Sequence, residues 1–176
     1  MERVVTITYL EMTSEEDVAP FEAERRLDVR QARHACPEVN RFFYVAVGSD
    51  WGWHERLAWD RARWLTWLDR PELETWIGYL DGTPVGYYEL ELQPSRQVQL
   101  SYFGLLPSFI GRGLGAELLS WAVDRAWELG PERVWLHTCT MDHPRALTNY
   151  LGRGFTRYAV EERVERLPDS ESRLPF

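Results

Sequence analysis

Cysteine is scarce: Cys36 and Cys139 are the two in 176 residues, far apart in the chain. Two distant thiols make neither a disulfide framework nor a metal-ligand spacing, so the chain reads as a protein of the reducing cytoplasm with no metal. No apolar run reaches the roughly 18 residues that a membrane span needs. The first stretch, MERVVTITYLEM, lacks the charged-then-apolar pattern and cleavage site of a leader. Strong Lys/Arg clusters are missing as well. With 28 acidic and 20 basic residues the formal charge is -8, which disfavours nucleic acid and anionic membranes as partners. That charge is compatible with a cationic amine, although acidity also serves solubility alone. No repeat or linker divides the sequence, and 44% hydrophobic residues suffice for one core, so residues 1–176 read as a single domain. What the chain has in excess is tryptophan, nine in all.

Hydrophobic period and turn residues order the elements. Val4 to Leu10 alternates and is β-branched, a strand. Thr13-Ser14-Glu15-Glu16 is a capping pattern that Pro20 soon interrupts, so it predicts only a short helix. Arg25 to Gln31 is polar and gives no clear signal. Pro37 opens a helix to about Val47, which Gly48-Ser49-Asp50 breaks. After the aromatic segment Trp51 to Leu57, a second helix covers about Asp60 to Leu68, with Trp64 and Leu68 on one side. Thr75–Leu80 and Val85–Leu92 read as strands joined at the hairpin signal Asp81-Gly82. Gln97 to Leu106 is the next strand. A helix from about Gly113 stops at Gly130-Pro131, and Val134 to Thr140 is again a strand. Asp142-His143-Pro144 reads as a cap for a helix to about Leu151 or Arg153. Gly154-Phe155 begins a last strand to about Val164, and 167–176 reads as loose. The order says a mixed α/β domain.

The stretch Phe103 to Ala116, FGLLPSFIGRGLGA, feeds a strand through glycines into a helix whose apolar face is Leu114, Leu118, Leu119, Ala122, Val123 and Ala126. The first four N–H groups of a helix have no intrahelical partner, and the macrodipole adds partial positive charge there. Glycines let that backbone approach a ligand, which makes an anion site suited to phosphate. A nucleoside-triphosphate loop needs Lys followed by Ser or Thr after its last glycine, and Ala116-Glu117 stands there instead. A dinucleotide fingerprint fits by letter at Gly111, Gly113 and Ala116. However, four residues separate the glycines from the strand, and the next acidic residue at a strand end is Asp142. The third reading is the pyrophosphate of coenzyme A.

That stretch resembles the glycine-rich signature of the GCN5-related N-acetyltransferases: a strand, Leu105-Leu106-Pro107, then Arg112-Gly113-Leu114-Gly115 opening a helix. A second match lies downstream, in Ala146-Leu147-Thr148-Asn149-Tyr150, Arg153 and Gly154-Phe155. The resemblance covers about residues 75–160. It implies a central twisted mixed sheet of about six to seven strands, flanked by about four helices. The sheet would be splayed between the fourth and fifth strands, Gln97–Leu106 and Val134–Thr140. It also implies direct transfer of an acetyl group from acetyl-CoA to an amine, here read as that of a small molecule or of a peptide or protein N-terminus; a monomer or homodimer is expected. Coenzyme binding would fall to Leu105, Leu106, Gly111, Arg112, Gly113, Leu114, Gly115 and Ala116. Tyr150 would be the general acid that protonates the departing thiolate; a phenol of pKa about 10 keeps its proton at neutral pH.

Two departures stand out. Ile110 occupies a position where the family usually has Gln or Arg, so one pyrophosphate contact is either lost or supplied by Arg112 instead. The position of a strand glutamate that serves some members as general base falls on Gln99, which cannot take a proton. Glu89 is the first alternative, sharing a strand face with Tyr87 and Glu91; Glu91, His137 and a chain of waters are the others. Trp51 and Trp53 flank Gly52 in a loop, where burial alone does not account for aromatics. They are expected to line the acceptor pocket, together with Gln99 and His137. An enzyme, a coenzyme-binding module without transfer activity, and a dinucleotide-dependent oxidoreductase are the competing classes, and retention of Tyr150 favours the enzyme.

Overall fold

In the computed structural model, which describes residues 2–166, the seven strands form one sheet and four α-helices cover its two faces. In chain order the elements are β1 (Glu2–Met12), β2 (Asp28–Gln31), α1 (Pro37–Gly48), α2 (Arg61–Leu68), β3 (Leu73–Leu80), β4 (Thr83–Gln93), β5 (Gln97–Leu105), α3 (Leu114–Glu128), β6 (Arg133–Cys139), α4 (Ala146–Gly152) and β7 (Thr156–Arg166). The sheet order is β2-β3-β4-β5-β6-β1-β7. The stretch 167–176, expected to be loose, lies outside the described residues. Among the described residues no helix is long and apolar enough to cross a membrane.

Neighbouring strand residues point to opposite faces, and Tyr87 and Tyr88 show what that does here. Tyr87 faces α1, stacking on Phe43 at 5.1 Å between centroids, in a cluster with Val47 and Ile77. Tyr88 faces α3, in the large core of Leu114, Leu118, Leu119, Ala122, Val123 and Ala126 against Leu90, Val98, Leu100, Val134 and Leu136. The apolar stripe of α3 foreseen from the sequence therefore fills one layer. A third cluster, Tyr44, Trp64, Leu68 and Leu73, seats α2 beside α1 on the other face.

Local chemistry sets the boundaries. Asp60 caps α2 by accepting the Arg63 N–H at 2.8 Å, and Pro37 opens α1 where its missing N–H costs nothing. The β3–β4 hairpin turns at Asp81 and Gly82, both at positive φ, as a tight hairpin turn requires. The segment Arg25 to Gln31, silent in sequence, contributes β2, an edge strand held by pairing with β3. Asp142 does not cap α4, whose N-cap is Arg145. Its carboxylate instead accepts the Thr138 hydroxyl and the Cys139 N–H, closing the turn after β6.

The strands β5 and β6 run parallel and pair only from Gln97 to Gln99 against Arg133 to Trp135. Beyond Gln99 they diverge, which is the splay expected between these two strands. The unpaired edges enclose a cleft that continues from the N-terminus of α3 to the loop between α1 and α2.

Candidate active site

The cleft has a volume of about 1000 Å³. One end is made of backbone. Gly111 and Gly113 sit at φ of 82° and 79°, a left-handed conformation that side chains rarely adopt, and both line the cavity with Gly115 and Ala116. Gly113 is the N-cap of α3, and no side chain caps that terminus. The free N–H groups of a 15-residue helix thus open on the cleft. Open space surrounds Gly111 where a Cβ would stand. This uncapped, glycine-lined terminus fits the pyrophosphate of coenzyme A.

Other residues expected on the coenzyme fall in different places. Leu105 and Ile110 line the cavity. The Leu114 side chain is fully buried in the α3 core, and Leu106 packs on the Phe43–Tyr87 cluster. Arg112 does not line the cleft: its guanidinium lies 5.3 Å from the Phe109 ring, and its carbonyl accepts from Arg26 Nη2 at 2.9 Å. Sequence reasoning overlooked Glu117, fully buried in the first turn of α3. Its Oε1 accepts the backbone N–H groups of Arg26 and Leu27, both at 2.6 Å, and so ties the chain entering β2 to the glycine end. A carboxylate in an otherwise apolar helix face, three residues after Leu114, was the available signal.

In the middle of the cleft stands Tyr150, on α4 one turn after Ala146. Its ring lies edge-on to Phe103 at 6.0 Å and to Phe155 at 6.2 Å, and 8% of the residue stays accessible. Its hydroxyl has no hydrogen-bond partner among the described residues. Burial raises its pKa, with the Asp142 charge adding to the effect, so the phenol keeps its proton at neutral pH. On the facing wall His137 is accessible from the cleft, between Tyr9 at 5.8 Å and Trp135 at 6.5 Å. Enclosure by the cleft walls lowers its pKa, so the imidazole is neutral at neutral pH.

The far end is built of side chains. Trp51, Trp53, Gln99 and His137 all line the cavity, as do Glu55, Arg56, Trp59, Trp67, Glu91 and Tyr102. Trp51 meets His143 edge-on at 5.0 Å; Trp53 packs on Tyr102 at 4.9 Å. The Gln99 amide accepts from Gln93 at 2.8 Å. Glu89 requires a correction. Its carboxylate has no accessible surface and does not line the cleft. It accepts two bonds from Arg56 Nη1, at 2.9 and 3.2 Å, and one from Asn40 at 3.1 Å. An oxygen that no amine or water reaches, already shared among donors, is no proton acceptor for the reaction. Period two placed Glu89 on the right face but could not say that Arg56 covers it. Glu91 does line the cleft, yet Arg70 holds it at 2.9 Å.

Arg56 is the centre of this end and was not foreseen. Its guanidinium carbon lies within 4.1–5.9 Å of the ring centres of Tyr44, Trp59, Trp64, Trp67 and Tyr102. Burial opposes its charge, but Glu89 and the tyrosines more than offset this and hold its pKa above the ordinary value. Much of the tryptophan excess is thereby explained: three of the nine cage one buried cation. The one arginine between Trp51 and Trp59, inside an aromatic run, was the signal.

Residues 23–155 match the model of the acetyltransferase (GNAT) family. Among solved structures, a GCN5-related N-acetyltransferase from Kribbella flavida is similar at TM-score 0.66 and 19% identity, over 93% of this chain and 59% of that one. A GCN5-related N-acetyltransferase from Sphaerobacter thermophilus gives TM-score 0.66 and 18% identity, over 93% and 53%. An aminoglycoside acetyltransferase, meta-AAC0020, from an uncultured soil metagenomic sample and in complex with trehalose, gives TM-score 0.60 and 14% identity, over 73% and 87%. The chain thus spans less than two thirds of the length of the first two. No curated protein matches it.

Proposed function

We propose, from the premise that this chain belongs to the acetyltransferase (GNAT) family, that it transfers the acetyl group of acetyl-CoA directly to a primary amine of a small molecule or of a peptide or protein N-terminus. The observation that carries the reading is one continuous cleft joining an uncapped helix N-terminus, a protonated tyrosine and an aromatic acceptor end. Acetyl-CoA brings an activated thioester; the rest falls to residues of this chain. Backbone N–H groups from Gly113 to Ala116 hold the pyrophosphate. Leu105 and Phe103 line the gap where β5 leaves β6, in which the thioester arm lies. The amine must arrive with a free lone pair. His137, neutral and accessible, takes its proton directly or through water, and Glu89 takes no part. Tyr150 gives its phenolic proton to the departing sulfur.

We place this activity in the cytoplasm, in a monomer or homodimer; the thiols of Cys36 and Cys139 are both free, which supports the compartment. A coenzyme-binding module without transfer activity is the second reading. The test is incubation with acetyl-CoA and a panel of amines while free thiol release is followed. Thiol appearing in step with an acetylated amine is the expected result. Tight coenzyme binding with no thiol release across the panel would leave the binding module. In Gly113→Val, a Cβ at a positive-φ position on the cradle should weaken coenzyme A binding strongly while the fold persists. Unchanged affinity would remove the pyrophosphate from this loop.

A further inference from the structure

We propose that the acceptor carries a carboxylate beside its amine, an amino-acid-like zwitterion, and that Arg56 receives the carboxylate. The proposal rests on the acyltransferase reading above and narrows it to a substrate class.

The argument starts from the unused side of a buried guanidinium. Arg56 is 4% exposed and lines the cleft. Its hydrogen bonds to Glu89 leave from Nη1 alone. Nε–H and both Nη2–H donors have no acceptor among the described residues. The surrounding rings do not supply one. A ring meets a cation through its π face, whereas N–H groups need acceptors lying in the guanidinium plane. The Nε/Nη2 edge is the planar fork that pairs with a carboxylate through two parallel bonds. Neither Nε nor Nη2 is among the sealed, unpartnered polar atoms of the interior, so these donors are open to an acceptor at the cleft that Arg56 lines. Glu89 and the five rings fix the orientation of the fork, so it is preorganised for a ligand arriving from the cleft. A purely structural ion pair would have no reason to keep that edge on a cavity wall.

The charges around it point to the second half of the ligand. Arg56 is matched by Glu89 and Glu91 by Arg70. Glu55, the residue before Arg56, also lines the cleft and has no cationic partner among the described residues; its Oε2 is 3.5 Å from the Tyr102 hydroxyl. Two consecutive residues therefore offer the cleft a carboxylate without a cation and a guanidinium fork without an anion. An ammonium and a carboxylate carried on one small molecule complement both. A polycation would set like charge against Arg56, and a simple alkylamine would leave the fork unpaired.

The test uses matched trios, each an amino acid, its carboxamide and its decarboxylated amine, built on alanine, leucine and phenylalanine. Calorimetry with the full-length protein, with and without coenzyme A, reads binding independently of turnover. In at least one trio the amino acid should bind tenfold or more tighter than both analogues, as expected where a buried polar group would otherwise lose its partner. Arg56→Lys keeps the charge but removes the fork, and should reduce that preference to less than about threefold. Equal binding within every trio, absence of binding by all amino acids, or an undiminished preference in Arg56→Lys would overturn the proposal. If Arg56→Lys does not fold, the wild-type trios decide alone. Thiol release measured on the same compounds separates the two readings. Selective binding without thiol release would refute the acyltransferase and leave the carboxylate site standing. Thiol release at equal rates from amino acid, amide and amine would do the reverse.

Discussion

The two ends of the cleft are made of different material. The end proposed for the coenzyme is made of backbone: two glycines at positive φ and an uncapped helix terminus within a stretch of six residues, 111–116. At the acceptor end, side chains from α1, the following loop, α2, β4 and β5 converge on Arg56. The first is local in sequence and tolerant of what surrounds it. The second exists only when distant segments pack together, and its charge must be compensated for the fold to stand. The lesson is that perturbations at the two ends should register in different measurements: stability at the acceptor end, turnover and coenzyme affinity at the other.

The largest effect should come from Glu89→Gln. Removing the carboxylate strands the Arg56 cation in the interior, and breaking a buried pair from one side costs about 3–5 kcal/mol. Denaturant unfolding should show that loss; activity should fall with the folded protein and, because Glu89 orients the Arg56 fork, also through weaker acceptor binding. Glu91→Gln is the control. Its pair with Arg70 is partly exposed, and screening brings its worth to about 1 kcal/mol or less. Equal stability of the two variants would show that the acceptor end is no more than a second surface, and the contrast would fall.

The same contrast explains what was legible in the sequence. The glycine cradle and the helix that carries Tyr150 could be read from Phe103 to Ala116 and Ala146 to Phe155, because strand, glycine and helix signals are short-range, whereas the splay between β5 and β6 came only from the family resemblance of those stretches. The strand β2 could not: Asp28 to Gln31 is polar, and only pairing with β3 makes it a strand. The fate of Glu89 was hidden for the same reason. Its face was given by period two, but its partner comes from a loop 33 residues away, and no local pattern encodes that. Arg112 and Leu114 show the converse limit. Sequence marked the loop but not which of its residues face the cleft: Gly111, Gly113, Gly115 and Ala116 line it, whereas Arg112 and Leu114 do not.

Tyr150→Phe should be next in size and should move nothing but chemistry. The ring, its packing on Phe103 and Phe155, and the core all remain. In the proposed mechanism the hydroxyl acts on the leaving sulfur alone, so kcat should fall on the order of 10²-fold, about 2.7 kcal/mol, with coenzyme affinity and unfolding free energy little changed. A stability loss comparable to that of Glu89→Gln would make Tyr150 a core residue. Near wild-type turnover, under conditions where chemistry limits the rate, would refute its role as the acid.

His137 belongs to neither end, and its effect should be the smallest and the most dependent on pH. The residue takes a proton only while neutral, so the competent form prevails above its pKa. Enclosure lowers that pKa below the usual 6.5, with Arg163 acting in the same direction and Asp142, Glu55 and Glu165 opposing it. The wild-type rate should therefore persist below the pH at which an ordinary imidazole would charge, and fall as pH drops through the lowered value. In His137→Gln the rate at pH 8 should drop about tenfold, less than the full worth of a general base because water reaches this accessible wall. The acceptor's own ionisation also depresses rates in acid, but it is common to both proteins and cancels in their ratio. The ratio of wild-type to variant rate should thus shrink from about ten toward one as pH falls. A ratio that stays constant from pH 8 to pH 5 would mean that His137 only shapes the wall and that water carries the proton unaided. The direction of the slope is as informative as its size. A group that acted as a cation would lose its advantage as pH rises, whereas a neutral acceptor gains it.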